Sequence, residues 1–242
     1  VNVVKKTLKR IILGFLFVFI VGFSYYLLTY TQATDEALTF LESSEFVTVS
    51  KKQGYYLFEP LDEVGKENMV IYAGGKVSHL AYARLAHELA KNGFTVYLPE
   101  MLFSLAFFSA DVALDFVRLN PENNWYVVGH SLGGVAMSSM LAKHDLFRGA
   151  IYLGSYPFAD LTKSSVYSLI LYAQNDGLTS VEDIEAALPK INLDAFKYVI
   201  IPGGNHANFG DYGPQAGDGL AMISSEEQIR FVVSEIVETF LE

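Results

Sequence analysis

The chain has 242 residues, 51% of them hydrophobic, which suits one domain of ordinary size around a buried core. It contains no cysteine, so disulfides, thiolate catalysis, a lipidated cysteine and thiolate zinc sites are all excluded. Acidic residues number 27 against 17 basic ones; four of the basic residues lie in the N-terminal flank, so after residue 30 there remain 13 against 27, about −14 at neutral pH, a surface that disfavours nucleic acid as a partner.

Residues 11 to 30, IILGFLFVFIVGFSYYLLTY, carry no charge over the roughly 20 residues that a bilayer-spanning helix needs. Lys5, Lys6, Lys9 and Arg10 stand before this run and Asp35, Glu36 and Glu42 after it. The expected product is a single-pass cell-membrane protein with its basic flank in the cytoplasm and the remainder on the extracytoplasmic side. A cleaved signal peptide is the rival reading, with small residues at Thr31-Gln32-Ala33, although the apolar region of such peptides usually spans only about 7 to 15 residues. A buried core helix is a third reading, and the run lacks the periodic polar positions it would show. Val1 in place of methionine points to an alternative start or a trimmed chain. The expected organisation is a basic flank and transmembrane anchor over 1–30, a spacer over 31–44 and a globular domain over 45–242.

From Glu45, EFVTVSKKQGYYLFEP reads as two short strands around Lys51 to Gly54, the antiparallel start of a mixed sheet. A strand, MVIYAGG, follows at 69–75. His79 to Asn92 has helical spacing at Leu80, Ala83, Leu85 and Leu89, with Gly93 as the stop. The strand FTVYLP comes next, then a helix from about Ala110 to Leu119, a strand at Trp125 to Val128, and a helix opening near Ser131. Strands at Gly149 to Leu153 and Tyr167 to Ala173, a helix near Val181 to Leu188, a strand at Phe196 to Ile201 and a helix from about Ser225 to Phe240 complete the chain. Such alternation implies an α/β fold with a mostly parallel sheet covered on both faces. The uncharged run MLFSLAFF at 101–108 reads most simply as core; its alternatives are the wall of an acyl pocket or a membrane contact.

The hexapeptide GHSLGG, residues 129–134, directly follows the strand WYVV, where open parallel sheets bind ligands. A serine at a sharp strand-to-helix turn needs a strained backbone, and Gly129 and Gly133 let strand, turn and helix approach closely. The helix that opens there aims its N–H groups and positive dipole end at the same point. The plain alternative is a tight structural turn.

A serine hydroxyl needs a base to become a nucleophile, and the chain has five histidines. His130 adjoins Ser131 and should turn away from the elbow, His79 and His87 lie on or beside the first helix of the domain, and His144 lies past the nucleophile helix. His206 remains, in GGNHANFG directly after the strand FKYVIIP. The imidazole needs a carboxylate to fix its tautomer. Asp176, after the strand YSLILYAQN, lies at a strand end and between serine and histidine in chain order; Asp160 in SYPFADLT is the second choice, and Ser180 is better placed than Asp176 to cap the next helix.

The order Ser131, Asp176, His206 on alternating strands and helices resembles the α/β-hydrolases over about residues 45 to 242. YAGGKVSHLAYARLAHELA, SLILYAQNDGLTS and GGNHANFGDYGPQAGDG are similar to a group of small, mostly bacterial members of that superfamily, commonly assigned only a general hydrolase activity. The resemblance implies an oxyanion hole with one backbone donor at Leu132 and the second in the loop AGGKV, at Gly75 or Lys76. No histidine precedes these glycines, unlike the HGGG-type loop of many esterases.

The expected chemistry is acyl transfer from a small-molecule or lipid-derived ester, with Ser131 as nucleophile, His206 as base and then acid, and no cofactor. Activity should rise with pH as the imidazole loses its proton. Asp211 and Asp218 do not have the spacing of a calcium loop, so no metal is expected, and FGDYGPQAGDG reads as a structural loop holding His206. Only 13 residues separate Leu153 from Tyr167, too few there for a large lid domain. Two alternatives remain: a peptidase or acyltransferase using the same intermediate, and a catalytically silent tethered domain that binds a partner.

Overall fold

The computed structural model describes residues 2–62 and 65–242, and Val1 lies outside them. The chain forms two compact units, Val1–Thr31 and Gln32–Glu242. The first is helix α1, Asn2–Leu28, in which the segment Lys5–Tyr26 is long and apolar enough to cross a membrane by length and composition. The helix runs back beyond the apolar stretch because Lys5, Lys6, Lys9 and Arg10 are good helix formers.

The second unit is built on an eight-stranded sheet. Its strands are β1 (Val47–Lys52), β2 (Tyr55–Pro60), β3 (Glu67–Tyr72), β4 (Thr95–Pro99), β5 (Asn124–His130), β6 (Gly149–Leu153), β7 (Tyr167–Ala173) and β8 (Phe196–Ile201), in the order β1-β2-β4-β3-β5-β6-β7-β8. β1 and β2 form a hairpin with Lys52 opposite Tyr55, and β2 runs antiparallel to β4. From β4 to β8 every pairing is parallel. Every residue of β4 and β6 is buried, so the sheet is covered on both faces, which is why these strands read as apolar runs without alternation.

Four longer helices connect the strands, α3 (Ala83–Lys91), α4 (Val112–Leu119), α5 (Leu132–Leu141) and α6 (Val181–Ala187), and α7 (Ser225–Phe240) follows the last strand. Ser180 and Ser224 each close a capping box, with Asp183 and Glu227, and so fix where α6 and α7 begin. The strand order places the site. β4 pairs on one side of β3 and β5 on the other, so the loops leaving β3 and β5 diverge from adjacent strand ends, and a crevice opens between them.

Part of the segment read as a spacer belongs to the folded unit. Asp35–Thr39 forms a short helix, α2, capped by Thr34, whose side chain accepts from the Ala37 N–H. Ala37 is fully buried, Glu36 pairs with Arg84, the Phe40 ring lies 4.5 Å from the Arg84 guanidinium, and the Thr34 N–H donates to Asp211 O at 2.9 Å. Five residues are too short for periodicity to reveal, so the segment's apolar anchors pass for a polar linker in the sequence.

Candidate active site

β5 runs through Gly129 and His130, two residues further than its apolar run suggests, and delivers Ser131 at the first turn of α5. Ser131 has φ 52° and ψ −123°, outside the regions open to most L-residues without strain. Four hydrogen bonds hold that conformation: the Ser131 N–H donates to Leu153 O at 3.1 Å, and Ser131 O accepts from Ser155 Oγ at 2.7 Å, from the Gly134 N–H at 3.1 Å and from the Val135 N–H at 3.4 Å. The turn closes only because side chains are missing beside it. A Cβ on Gly129 would strike the backbone of Gly134, and one on Gly133 the carbonyl of Tyr72. Ser131 Oγ makes no hydrogen bond among the described residues.

His206 and Asp176 meet at the ends of β8 and β7. His206 Nδ1 is 2.8 Å from Asp176 Oδ2, and both side chains are buried. The other carboxylate oxygen accepts from the N–H groups of Leu178 and Thr179, each at 2.8 Å, so the acid cannot swing away from the ring. Gly154, the residue after β6, lies against this pair: a Cβ there would be 2.9 Å from Asp176 Oδ2 and 3.0 Å from His206 Nδ1. Since Leu153 is bonded to Ser131 and Gly154 abuts Asp176 and His206, all three residues converge on the end of β6. Asp160 is occupied elsewhere, accepting from Thr162 N and Oγ1 at the surface.

Two supports of this arrangement escape the sequence. Asp218 binds four backbone N–H groups: Oδ1 accepts from Gly177 at 3.1 Å, His206 at 3.2 Å and Gly219 at 2.8 Å, and Oδ2 accepts from Ala207 at 2.8 Å. One carboxylate thereby ties the Asp176 loop to the His206 loop, which is the holding role expected of FGDYGPQAGDG. His130, expected to turn away from the elbow, is buried with its ring 4.6 Å from the His206 ring. Its Nδ1 is 2.7 Å from Tyr82 Oη, which already accepts from the Gly74 N–H at 2.9 Å, so the tyrosine O–H is left to donate to the imidazole. Burial, and then the nearby His206, hold the His130 pKa well below the ordinary histidine value. His130 is thus a neutral spacer behind His206.

The loop after β3 faces the elbow. Gly75 packs against the Leu132 side chain so closely that a Cβ on it would collide with Leu132 Cδ1. The N–H groups of Gly75 and Leu132 donate to no acceptor among the described residues, whereas the Lys76 N–H donates to Ser104 O at 2.9 Å. Of the two positions named for the second donor, Gly75 has its N–H available. Lys76, Phe103, Ser104 and Ser131 are the non-glycine residues with positive φ among those described, and all sit at the ends of β3, β4 and β5. Strain of this kind concentrates at functional sites. Among the described residues no group of three or more His, Asp or Glu side chains is placed to hold a metal.

Residues 68–230 match the model of the alpha/beta hydrolase family. This chain belongs to that family. Solved structures with the same fold include a protein predicted to be a CIB-like hydrolase from Thermoplasma acidophilum (14% identity, TM-score 0.59, covering 79% of this chain and 99% of that one). Carboxylesterase CesB of Bacillus subtilis is also similar (12% identity, TM-score 0.57, 90% and 97% covered), as is ATU1826, a protein of unknown function from Agrobacterium tumefaciens (16%, 0.56, 78% and 94%). At these identities the likeness is one of fold. No curated protein matches the chain in sequence.

Proposed function

We propose that this alpha/beta hydrolase is a serine hydrolase that cleaves carboxylic esters through an acyl-serine intermediate, with Ser131 as nucleophile, His206 as general base and acid, and Asp176 as the carboxylate that orients the imidazole. The observation that carries this reading is the 2.8 Å contact between His206 Nδ1 and Asp176 Oδ2 beside a strained serine. A carboxylate on Nδ1 fixes the proton there and leaves Nε2 as the base.

The reaction follows from those roles. Ser131 Oγ attacks the ester carbonyl as His206 Nε2 takes its proton, and the tetrahedral oxyanion is held by the N–H groups of Leu132 and Gly75. Collapse expels the alcohol, protonated by the imidazolium; water, deprotonated by the same nitrogen, then releases the acid and restores Ser131. The free Ser131 Oγ is compatible with this course, because catalytic hydrogen bonds often tighten only once substrate is bound. We read α1 as an uncleaved membrane anchor with the folded unit on the extracytoplasmic side, from its basic flank and its uncharged length.

The test is hydrolysis of p-nitrophenyl esters of increasing acyl length by wild type and Ser131→Ala, together with labelling by a fluorophosphonate. Turnover and labelling that vanish together in the variant are expected. A folded wild-type protein that neither turns over nor labels would leave a tethered binding domain as the better reading.

A further inference from the structure

The carboxyl edge of the sheet carries a set of exposed apolar side chains that the proposed acyl transfer does not require. Leu102 and Phe103 follow β4, Leu132 follows β5, Leu178 follows β7, and Leu220 and Met222 lie on the loop after β8; all six are exposed, the last two by 90% and 82%. They are pinned to this edge. Ser104 O is bonded to the Lys76 N–H after β3, Leu220 O accepts from Asn175 Nδ2 after β7, and the Met222 N–H donates to Gly203 O after β8.

The stretches that bear them are uncharged, while the same set of loops carries Lys76, Glu100 and Asp160 and the buried or half-buried Asp176, Asp211 and Asp218. Residues 101–110, 153–159, 177–181, 203–210 and 219–225 contain no Asp, Glu, Lys or Arg, in a domain that carries about −14 overall. The opposite edge differs: Glu122, Lys143, Asp145, Arg148, Lys163 and Asp194 stand in the segments that lead into β5 to β8. An edge whose most exposed side chains are apolar and sit in uncharged stretches, on an otherwise acidic domain, is built to meet something apolar.

The chain itself indicates what that is. Helix α1 ends at Leu28, and Thr34 is already fixed to Asp211 O, so only the five residues 29–33, six steps with a reach of roughly 20 Å at 3.3–3.6 Å each, separate the helix from the domain. Asp211 lies on the loop after β8, and its N–H donates to Ala81 O in the segment after β3, so the tether joins the domain at the carboxyl edge. We propose that this edge docks on the bilayer that α1 spans, with Leu102, Phe103, Leu132, Leu178, Leu220 and Met222 at the headgroup–acyl boundary, so that Ser131 opens onto lipid and takes ester bonds of membrane lipids. The docking rests on α1 being an anchor, and the lipid-ester substrate rests in addition on the serine hydrolase reading. Apolar contact rather than charge drives the docking, because an acidic domain gains nothing from anionic lipid.

The absence of cysteine in the chain supplies the test. Single variants Leu102→Cys and Met222→Cys, with Leu146→Cys and Leu193→Cys as exposed apolar controls on the amino edge, are labelled with an environment-sensitive fluorophore. The full chain is then reconstituted in phosphatidylcholine nanodiscs, where both faces are accessible. Nitroxides on the lipid chains should quench positions 102 and 222 at least about twofold more strongly than 146 and 193, with aqueous iodide showing the reverse order. Equal quenching at all four positions overturns the docking, as does a chain that fails to enter the discs. A label at 222 shielded from both quenchers overturns it too, because a protein then covers the edge. None of these readouts needs activity, so loss of ester turnover and fluorophosphonate labelling would refute the hydrolase reading while leaving the docking result intact.

Discussion

The His206 N–H donates to Asp218 Oδ1 at 3.2 Å, and the next N–H, of Ala207, donates to Asp218 Oδ2 at 2.8 Å. The same carboxylate reaches Gly177, adjacent to Asp176, so it sets the separation between the two loops whose side chains pair. In Asp218→Asn the amide keeps one acceptor oxygen but turns an N–H₂ group toward a backbone donor. Hydrogen bonds to a charged acceptor contribute about 1.5–3 kcal/mol each, so the variant should lose about 10- to 100-fold in kcat, with KM little changed, while remaining folded. Steady-state kinetics beside circular dichroism check this; an unchanged kcat would make Asp218 a matter of stability alone.

Gly154 should tolerate no side chain. Its φ is +48°, and an added methyl would press on both Asp176 Oδ2 and His206 Nδ1. Gly154→Ala is expected to cost about 1–3 kcal/mol in unfolding free energy and to lower kcat more than that loss of stability explains. Chemical denaturation and kcat measured on one preparation separate the two effects.

Stability should fall on mild acidification. Burial holds His130 well below its ordinary pKa and also lowers His79 and His87. Their contribution is complete above pH about 6.5, where both folded and unfolded chains are unprotonated; below it the unfolded chain takes up protons that the folded rings refuse, by up to about 1.4 kcal/mol per pH unit for each ring until that ring itself protonates. The urea midpoint of the Gln32–Glu242 unit should therefore decline between pH 6.5 and 4.5, and less steeply in His130→Gln. Equal slopes would remove His130 from the account.

Arg84 and Glu36 should differ sharply on mutation. The Arg84 side chain is buried and donates from Nε to the equally buried Asp211 at 2.8 Å, while Glu36 is mostly in solvent. Arg84→Met strands the Asp211 carboxylate with Ser225 Oγ as its remaining side-chain donor and should cost about 3–5 kcal/mol. Glu36→Gln should cost under about 1 kcal/mol. Thermal melting of both variants gives the ordering, and similar losses would contradict it.

Much of the fold is legible in the chain because fully buried strands announce themselves. WYVV and YSLILYA are apolar runs between turn residues, and each is a strand; FKYVII is a strand too, although at the sheet edge it is only part-buried. GHSLGG is legible for a steric reason, since the glycines stand where the backbones of β3, β5 and α5 nearly touch. The order of β3, β4 and β5 is not legible, since it is decided by which side of β3 each crossover returns to. Asp218 is hidden for a related reason: its partners are backbone N–H groups of residues 177, 206, 207 and 219, which leave no trace in side-chain type. MLFSLAFF misleads in the other direction, for only Met101 and Ala106 of the run are buried while Leu102, Phe103, Phe107 and Phe108 are exposed, so apolarity there does not mean core.

On the reading of α1 as an anchor, the bond from Thr34 to Asp211 bears on how the second compact unit would be released from it. A protease cutting between Leu28 and Gln32 would shed the second compact unit whole, with α2 still seated on Arg84. A cut ten residues later would take Thr34, Glu36 and the buried Ala37 away with α1, stripping the Arg84–Asp211 pair of its cover and loosening the loop that carries His206 and Asp211. The position of cleavage would thus determine whether shedding yields an intact folded unit or a damaged one.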